Sequence, residues 1–354
     1  MPPLLQFILR RLVTSVVSLV VVTLVLYAGV MLTPPEARAM LYAPPGRGGE
    51  RMSDNRIRVI IRENHLDQPY LVQYGYWVRS LASGSWGYSP TLREDVLQSL
   101  LRRTPATLEL ALYSLLLLIP LGLASGLLAG WRPRRPFDHT FRVLAFLGTS
   151  LPPFILSLVL LAVFYIRLKW FLPGRMDLLT DLEVAKSSFH PFTGMLTVDS
   201  LLNGRLDVFV SALRHLAMPV LTLSIYNWAV LGRLTRAAMM DERGKEYILA
   251  ARARGVAETR LIWRHALRAI LAPSLTGVAL AAAALVTGVF VVEIIFAFNG
   301  VSQVIVSSMR TFPDAAAALG FAVYSVLMVT GLMFVLDVLL ASLDPRFRDE
   351  ILQT

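Results

Sequence analysis

Six apolar stretches divide the chain, each close to or beyond the roughly 20 residues that a helix needs to cross a bilayer's hydrocarbon. They run from Leu12 to Leu32, Ala106 to Gly130, Val143 to Ile166, Leu216 to Leu234, Ile270 to Phe298 and Ala315 to Leu343. The pattern predicts an all-α integral membrane protein with six transmembrane helices. Between the fourth and fifth stretches the polarity changes sharply, in the segment DERGKEYILAARARGVAETRLIWRHALRAILAP, Asp241 to Pro273.

That segment reads as a helix, a glycine and a second helix. From Glu246 to Arg254, Tyr247, Leu249, Ala250 and Ala253 return at helical spacing, while Glu246, Arg252 and Arg254 supply a polar side. Gly255 interrupts the helix, because glycine accepts the left-handed conformation that ends one helix and redirects the chain. A second amphipathic stretch follows through Leu261, Ile262 and Trp263, with Arg260, Arg264 and Arg268 on one stripe. Small Ala250, Ala251 and Ala253 let a partner surface approach the backbone. The same letters suit a DNA-binding helix-turn-helix, but both flanks lead into membrane spans. A soluble hairpin held between spans predicts a docking surface instead.

Composition supports this division. The 354 residues are 55% hydrophobic and only 16% charged, which fits a polytopic membrane protein rather than a large soluble domain. Lys and Arg gather at alternate connections: Arg10 and Arg11, then Arg132, Arg134 and Arg135, then the Asp241 to Pro273 segment, then Arg346 and Arg348. In a six-span arrangement these share one side, predicted to be cytoplasmic together with both termini. The opposite side receives Thr33 to Pro105, Lys169 to His215 and Asn299 to Asp314. The net charge of +10 reflects this bias and contact with anionic lipid, and needs no nucleic acid. With no cysteine, disulfides, thiolate metal sites and cysteine nucleophiles are excluded. Ala37-Arg38-Ala39 resembles a signal cleavage site, but the preceding apolar run is too long for a signal and reads as a retained anchor.

Ionisable groups inside spans are costly and often functional. Glu109 and Glu293 lie near the ends of their spans and are candidates to face a translocation path. The alternative is that each is held by a backbone amide, an arginine or water. Asp337 reads as an internal partner of Arg346 and Arg348. His65, His139, His190, His215 and His265 are scattered without ligand spacing, so no metal site is predicted. No nucleophile turn is present, so no catalytic activity is expected. Tyr70, Tyr74, Tyr76 and Trp77 read as an interfacial belt, as do Lys169, Trp170 and Phe171. Gly46 to Gly49 reads as a solvated turn. Pro173 to Arg214 is a long link expected over the outer mouth, and Asn299 to Asp314 is short enough to dip back between the last two spans.

Taken together, these stretches resemble the permease subunit of bacterial ABC importers of the dipeptide and oligopeptide class. EYILAARARGVAETRLIWRHALRAILAP resembles that family's cytoplasmic "EAA" loop, with Ala250, Ala251 and Gly255 at matching positions and Leu249 where the motif has glutamate. FILRRLV, LDQPYLVQYGYW, RTPATLELAL, LRHLAMPVLTL, VVEIIF and LDPRFR follow in the family's order. Asn299-Gly300 replaces the usual Pro-Gly, Gly84-Ser85-Trp86-Gly87 replaces Gly-Asp-Leu-Gly, and Pro34 to Gly49 lacks the acidic-Pro pattern.

The resemblance implies a type I ABC importer permease fold in the bacterial cytoplasmic (inner) membrane. It divides the chain into a first end and span over 1–33, an extracytoplasmic segment over 34–103, a five-helix core over 104–345 with the coupling loop at 241–269, and a tail over 346–354. It implies that Glu246, Tyr247, Ala250, Ala251, Arg252, Ala253 and Gly255 dock on an ATPase; Glu109, Glu293 and Asn299 are the candidates for the path. The implied partners are a homologous second permease, two ABC ATPase subunits and an extracytoplasmic substrate-binding protein. ATP and Mg belong to the ATPases, since this chain lacks GxxxxGKS/T and needs no cofactor of its own. Relatives of similar build import nickel, opines, glutathione or oligosaccharides. An ion-coupled secondary transporter is the reading from another class, but no internal repeat supports it. A structural assembly subunit is the third.

Overall fold

The computed structural model describes residues 3–39, 42, 53–186, 189–310 and 314–343. Gly46 to Gly49, Arg346, Arg348 and most of LDPRFR lie outside the described residues. In chain order the elements are α1 (Pro3–Val30), α2 (Pro35–Ala39), α3 (Asp54–Glu63), α4 (Tyr70–Ala82), β1 (Tyr88–Ser89), β2 (Glu94–Asp95), α5 (Val96–Trp131), α6 (Pro136–Ser150) and α7 (Pro153–Leu160). A π-helical stretch, Leu161–Arg167, extends α7. Then come α8 (Leu178–Lys186), α9 (Leu196–Leu202), α10 (Leu206–Glu242), α11 (Glu246–Ala253), α12 (Glu258–Arg260), a second π-helical stretch (Leu261–Ala266), α13 (Leu267–Ile295), α14 (Ser302–Arg310) and α15 (Ala315–Leu343).

Five helices, α1, α5, α10, α13 and α15, are long and apolar enough to cross a membrane. The expected third span is not one straight helix: α6 and α7 meet at a 98° bend. Two prolines cause it. Leu151, the residue before Pro152, is extended at φ −108° and ψ 121°, as a pre-proline residue prefers. Pro153 then opens α7, where its missing N–H costs nothing.

The described residues form two compact units, each discontinuous in sequence. One draws on 1–10, 108–298 and 332–354 and the other on 11–107 and 299–331. In the first, α10 is central and packs against α13, α6, α7 and α9. Its buried positions are rich in small and polar residues, among them Ser211, Thr222, Ser224, Asn227, Gly232 and Thr235. Two of these polar side chains donate to backbone carbonyls: Asn227 to Leu223 at 2.7 Å and Ser224 to Ser114 of α5 at 3.2 Å. Gly122, Gly126 and Gly130 bring α5 against α10 backbone to backbone. A Cβ at Gly130 would sit 2.6 Å from the Arg236 carbonyl oxygen, and one at Gly126 would run into the Gly232 carbonyl. Small residues at this spacing let membrane helices pack closely where no hydrophobic drive separates helix from lipid.

The second unit centres on aromatic rings. Tyr27 of α1 meets Trp77, Tyr70 and Tyr74 of α4 at ring-centroid distances of 4.9, 6.0 and 6.0 Å. Three of the four residues read as an interfacial belt are therefore a local core, and only Tyr76, stacked on His65, stays exposed. Arg38 and Ala39 are buried, and Arg38 donates to Gln73 Oε1, so the stretch resembling a cleavage site is folded into the unit. Asp314 caps α15: one carboxylate oxygen accepts the Ala317 N–H at 3.0 Å, and the other accepts the Ser89 hydroxyl at 2.5 Å. Within the Asn299 to Asp314 connection Ser302–Arg310 forms α14, where Val304 is buried and Met309 exposed, and Val301 just before it is buried.

Candidate functional site

The candidate docking segment is built outward from a packed base. Lys245 is extended and α11 starts at Glu246, an acidic residue in the first turn where the helix dipole favours negative charge. The helix ends as expected at glycine: Gly255 has φ +80°, its N–H donates to Arg252 at 3.0 Å, and Val256 N–H donates to Ala251 at 3.2 Å. That pair of bonds is the Schellman arrangement.

The recurring Tyr247, Leu249, Ala250 and Ala253 stay on the outer side, and a different pair is buried. Ile248 and Ala251 are 0% and 3% exposed, and they join Leu127 and Trp131 of α5, Met239 of α10, Leu261, Ile262 and Ala266 of the second π-helical stretch, and Ile270 of α13. Tyr247 and Leu249 are 41% and 50% exposed, and Glu246, Ala250, Arg252, Ala253 and Gly255 are also exposed. Ala251, expected at the partner surface, is instead part of the chain's own core. Trp263, placed with Leu261 and Ile262 on an apolar face, is 52% exposed. Apolar residues fall on both the inner and the outer side of α11, so spacing alone did not choose the inner face.

Polar contacts fix the same base. Trp131 Nε1 donates to Glu258 Oε2 at 2.8 Å, Arg252 donates to Glu258 Oε1 at 2.7 Å, and the Arg252 guanidinium lies 5.4 Å from the Trp131 ring centroid. Arg252, with help from the Trp131 N–H, holds the Glu258 carboxyl below its ordinary range. Arg243 donates to the Trp131 carbonyl at 3.0 Å. At the entry, Glu242 accepts from Lys245 at 2.6 Å and from the Tyr247 hydroxyl, and burial together with that bond pushes the Tyr247 phenol up to about 12. The exposed apolar and small residues of α11 thus sit on a base anchored to α5, α10 and α13.

The expected path residues are placed differently. Glu109 of α5 is 1% exposed. Its Oε2 accepts from Arg175 at 2.7 Å, and its Oε1 accepts both the N–H and the hydroxyl of Thr197 at 2.7 Å. Arg175 also reaches the Gly194 carbonyl at 3.2 Å and lies 5.7 Å from the Phe298 ring centroid. In this conformation Glu109 is therefore an internal tie rather than an open wall. Glu293 is also 1% exposed. It sits where α13 stops, its carbonyl accepting the Phe298 N–H at 2.9 Å. Asn299 is exposed with φ +54°, a left-handed conformation that asparagine tolerates and proline's ring forbids. That explains why this turn carries Asn-Gly.

A family model described as "Binding-protein-dependent transport system inner membrane component" matches residues 119–349, and a companion N-terminal model matches 4–111. The chain belongs to this family of binding-protein-dependent transport components. Among its relatives, "Di/tripeptide transport system permease protein DppB" of Pseudomonas aeruginosa is 33% identical over 351 residues, covering 98% of this chain and 100% of the relative. "Probable D,D-dipeptide transport system permease protein DdpB" of Escherichia coli is 36% identical over 301 residues, with 84% and 86% covered. "Dipeptide transport system permease protein DppB" of Escherichia coli is 30% identical over 348 residues, with 98% and 99% covered. As a member of this family the chain is an all-α, multi-pass membrane transport component, and the α5 to α13 framework carrying α11 falls largely within the first match. The Gly122, Gly126, Gly130 spacing and the Trp131 to Glu258 tie were not picked out from sequence. The first is visible as a repeat of four, whereas the second joins residues 127 apart.

Proposed function

We propose that this chain is the membrane permease of an ATP-driven importer of short peptides. The observation that carries the reading is α11, seated by Ile248 and Ala251 on the ends of α5, α10 and α13, with Tyr247, Leu249, Ala250 and Ala253 facing outward. A separate ATPase that grips this face moves three long helices together, because its lever has a packed base instead of a hinge. In this reading two ATPases bind ATP and Mg, a second homologous permease completes the path, and an extracytoplasmic binding protein delivers the peptide. The relatives' names, which give dipeptides and tripeptides as their substrates, support the peptide class. The arginine-rich ends, with both termini, face the cytoplasm of the bacterial inner membrane. In this reading Glu293 and Asn299 each remain candidates to line the path, while Glu109 acts through Arg175 and Thr197.

Purifying the chain gently from its native membrane tests the assignment. Recovery with a homologous permease and two ATPases is the expected outcome, and the associated binding protein then retains short peptides. A chain recovered folded and alone overturns it. Glu293→Gln with normal assembly and unchanged uptake removes Glu293 from the path.

A further inference from the structure

The geometry points to a binding site for an anionic phospholipid between α6 and α10, at the arginine-rich end of the first unit. A cavity of about 510 Å³ opens there. Its polar walls are His139 and Arg142 from the first turns of α6 and Arg233 and Arg236 from α10, and its apolar wall is Val143, Phe146 and Leu147. Arg236 is already committed: it donates to Asp138 at 2.5 and 3.0 Å, and Asp138 also accepts the Arg134 N–H at 2.9 Å. Arg142 and Arg233 form no ion pair among the described residues, and both are exposed. The three guanidiniums against one carboxylate leave two positive charges for a ligand.

The layering selects the ligand. Along α6 the basic residues come first, and Val143, Phe146 and Leu147, at 45%, 67% and 55% exposed, follow within two turns. A phosphodiester headgroup then lies against Arg142 and Arg233 while an acyl chain covers the exposed apolar wall. Basic pockets between membrane helices favour such headgroups, and guanidinium suits phosphate by geometry as well as charge. A free phosphate shares the headgroup chemistry but leaves the apolar wall uncovered, so the lipid is the favoured source. Placing the site in the cytoplasmic leaflet rests on the orientation proposed above; lipid selectivity itself does not.

The test is lipid retention by the full chain in detergent, measured by native mass spectrometry against phosphatidylglycerol, phosphatidylcholine and inorganic phosphate. Preferential retention of phosphatidylglycerol is expected, weakened roughly 30-fold in Arg142→Gln/Arg233→Gln and largely kept in Arg142→Lys/Arg233→Lys. Equal retention of both lipids by the unaltered chain overturns the proposal whatever the variants do. Displacement of phosphatidylglycerol by millimolar inorganic phosphate alone also overturns it, by showing a small-anion site. Because the readout is binding, it stands apart from uptake and from the partner assignments.

Discussion

The two ends of α5 spend their polar groups in opposite ways. In its first half, Glu109 is buried and bonded internally to Arg175, the Thr197 N–H and the Thr197 hydroxyl. At its end, about 30 Å along the helix at 1.5 Å per residue, Trp131 supports α11 through an apolar base and a hydrogen bond to Glu258, which pairs with Arg252 of α11. The first end closes on itself. The second holds a face on which Leu249, Ala250 and Ala253 stay exposed. The contrast separates residues that keep the fold from residues available to a partner.

Removing Glu109 gives the largest expected loss of stability. Glu109→Ala leaves Arg175 and the Thr197 N–H without their acceptor in a buried place, and breaking such a pair costs about 3–5 kcal/mol. Arg175 keeps partial solvent access at 25%, which puts the expectation at the lower bound. Thermal unfolding of the purified chain measures it, and Glu109→Gln is expected to lose less, since an amide oxygen still accepts from Thr197. A variant as stable as the parent breaks the comparison by showing that the internal tie bears no weight.

Gly255→Ala comes next. No atom lies within 4 Å of a Cβ there, so the cost is conformational: a side chain at φ +80° costs about 1–2 kcal/mol. Because the strain falls at the end of α11, the expected signature is faster hydrogen exchange at Val256 and along α11 while the Glu109 end keeps its protection. Equal loss at both ends would mean that the two are one cooperative unit.

The Glu258 carboxyl gives a smaller, pH-dependent effect. Arg252 first, then the Trp131 N–H, lower it from its ordinary value of 4.5. A lowered carboxyl stabilises the folded state above the ordinary value, and that contribution fades as pH falls through the depressed one. Both partners are about two-fifths exposed, so solvent screening keeps the effect small. Trp131 fluorescence is expected to change as pH drops below about 4.5, and Glu258→Gln is expected to flatten the change.

What could be read from the chain follows the range of the forces. The long helices and the Gly255 stop were legible because apolar length and a single left-handed glycine are local properties. The bend at Pro152-Pro153 was equally local, yet the uninterrupted hydrophobicity around it hid the break. α9 was not legible, because its position depends on Thr197 meeting a carboxylate 88 residues away. The aromatic residues of α4 looked interfacial until Tyr27 supplied their partner. On α11 the recurrence of Tyr247, Leu249, Ala250 and Ala253 was legible, but which side turns inward was not, since Leu249 outside is about as apolar as Ile248 inside.

Leu249→Ser has the smallest expected effect on the folded chain and bears most directly on what α11 is for. Leu249 is 50% exposed and occupies the position where the resembling motif carries glutamate, so a polar residue there exposes less apolar surface and removes no core contact. Stability is expected to change by no more than about 0.5 kcal/mol. Peptide uptake by the assembled importer is nevertheless expected to fall several-fold, with less ATPase recovered on purification, because the residue's apolar area is spent only when a partner covers it. Ile248→Ala, one residue earlier, reverses the order by opening the base first, at about 2–4 kcal/mol, and losing uptake as a consequence. If Leu249→Ser retains both uptake and ATPase, the outward face of α11 is not the docking surface, and the contrast between the two ends of α5 loses its functional meaning while its structural one stands.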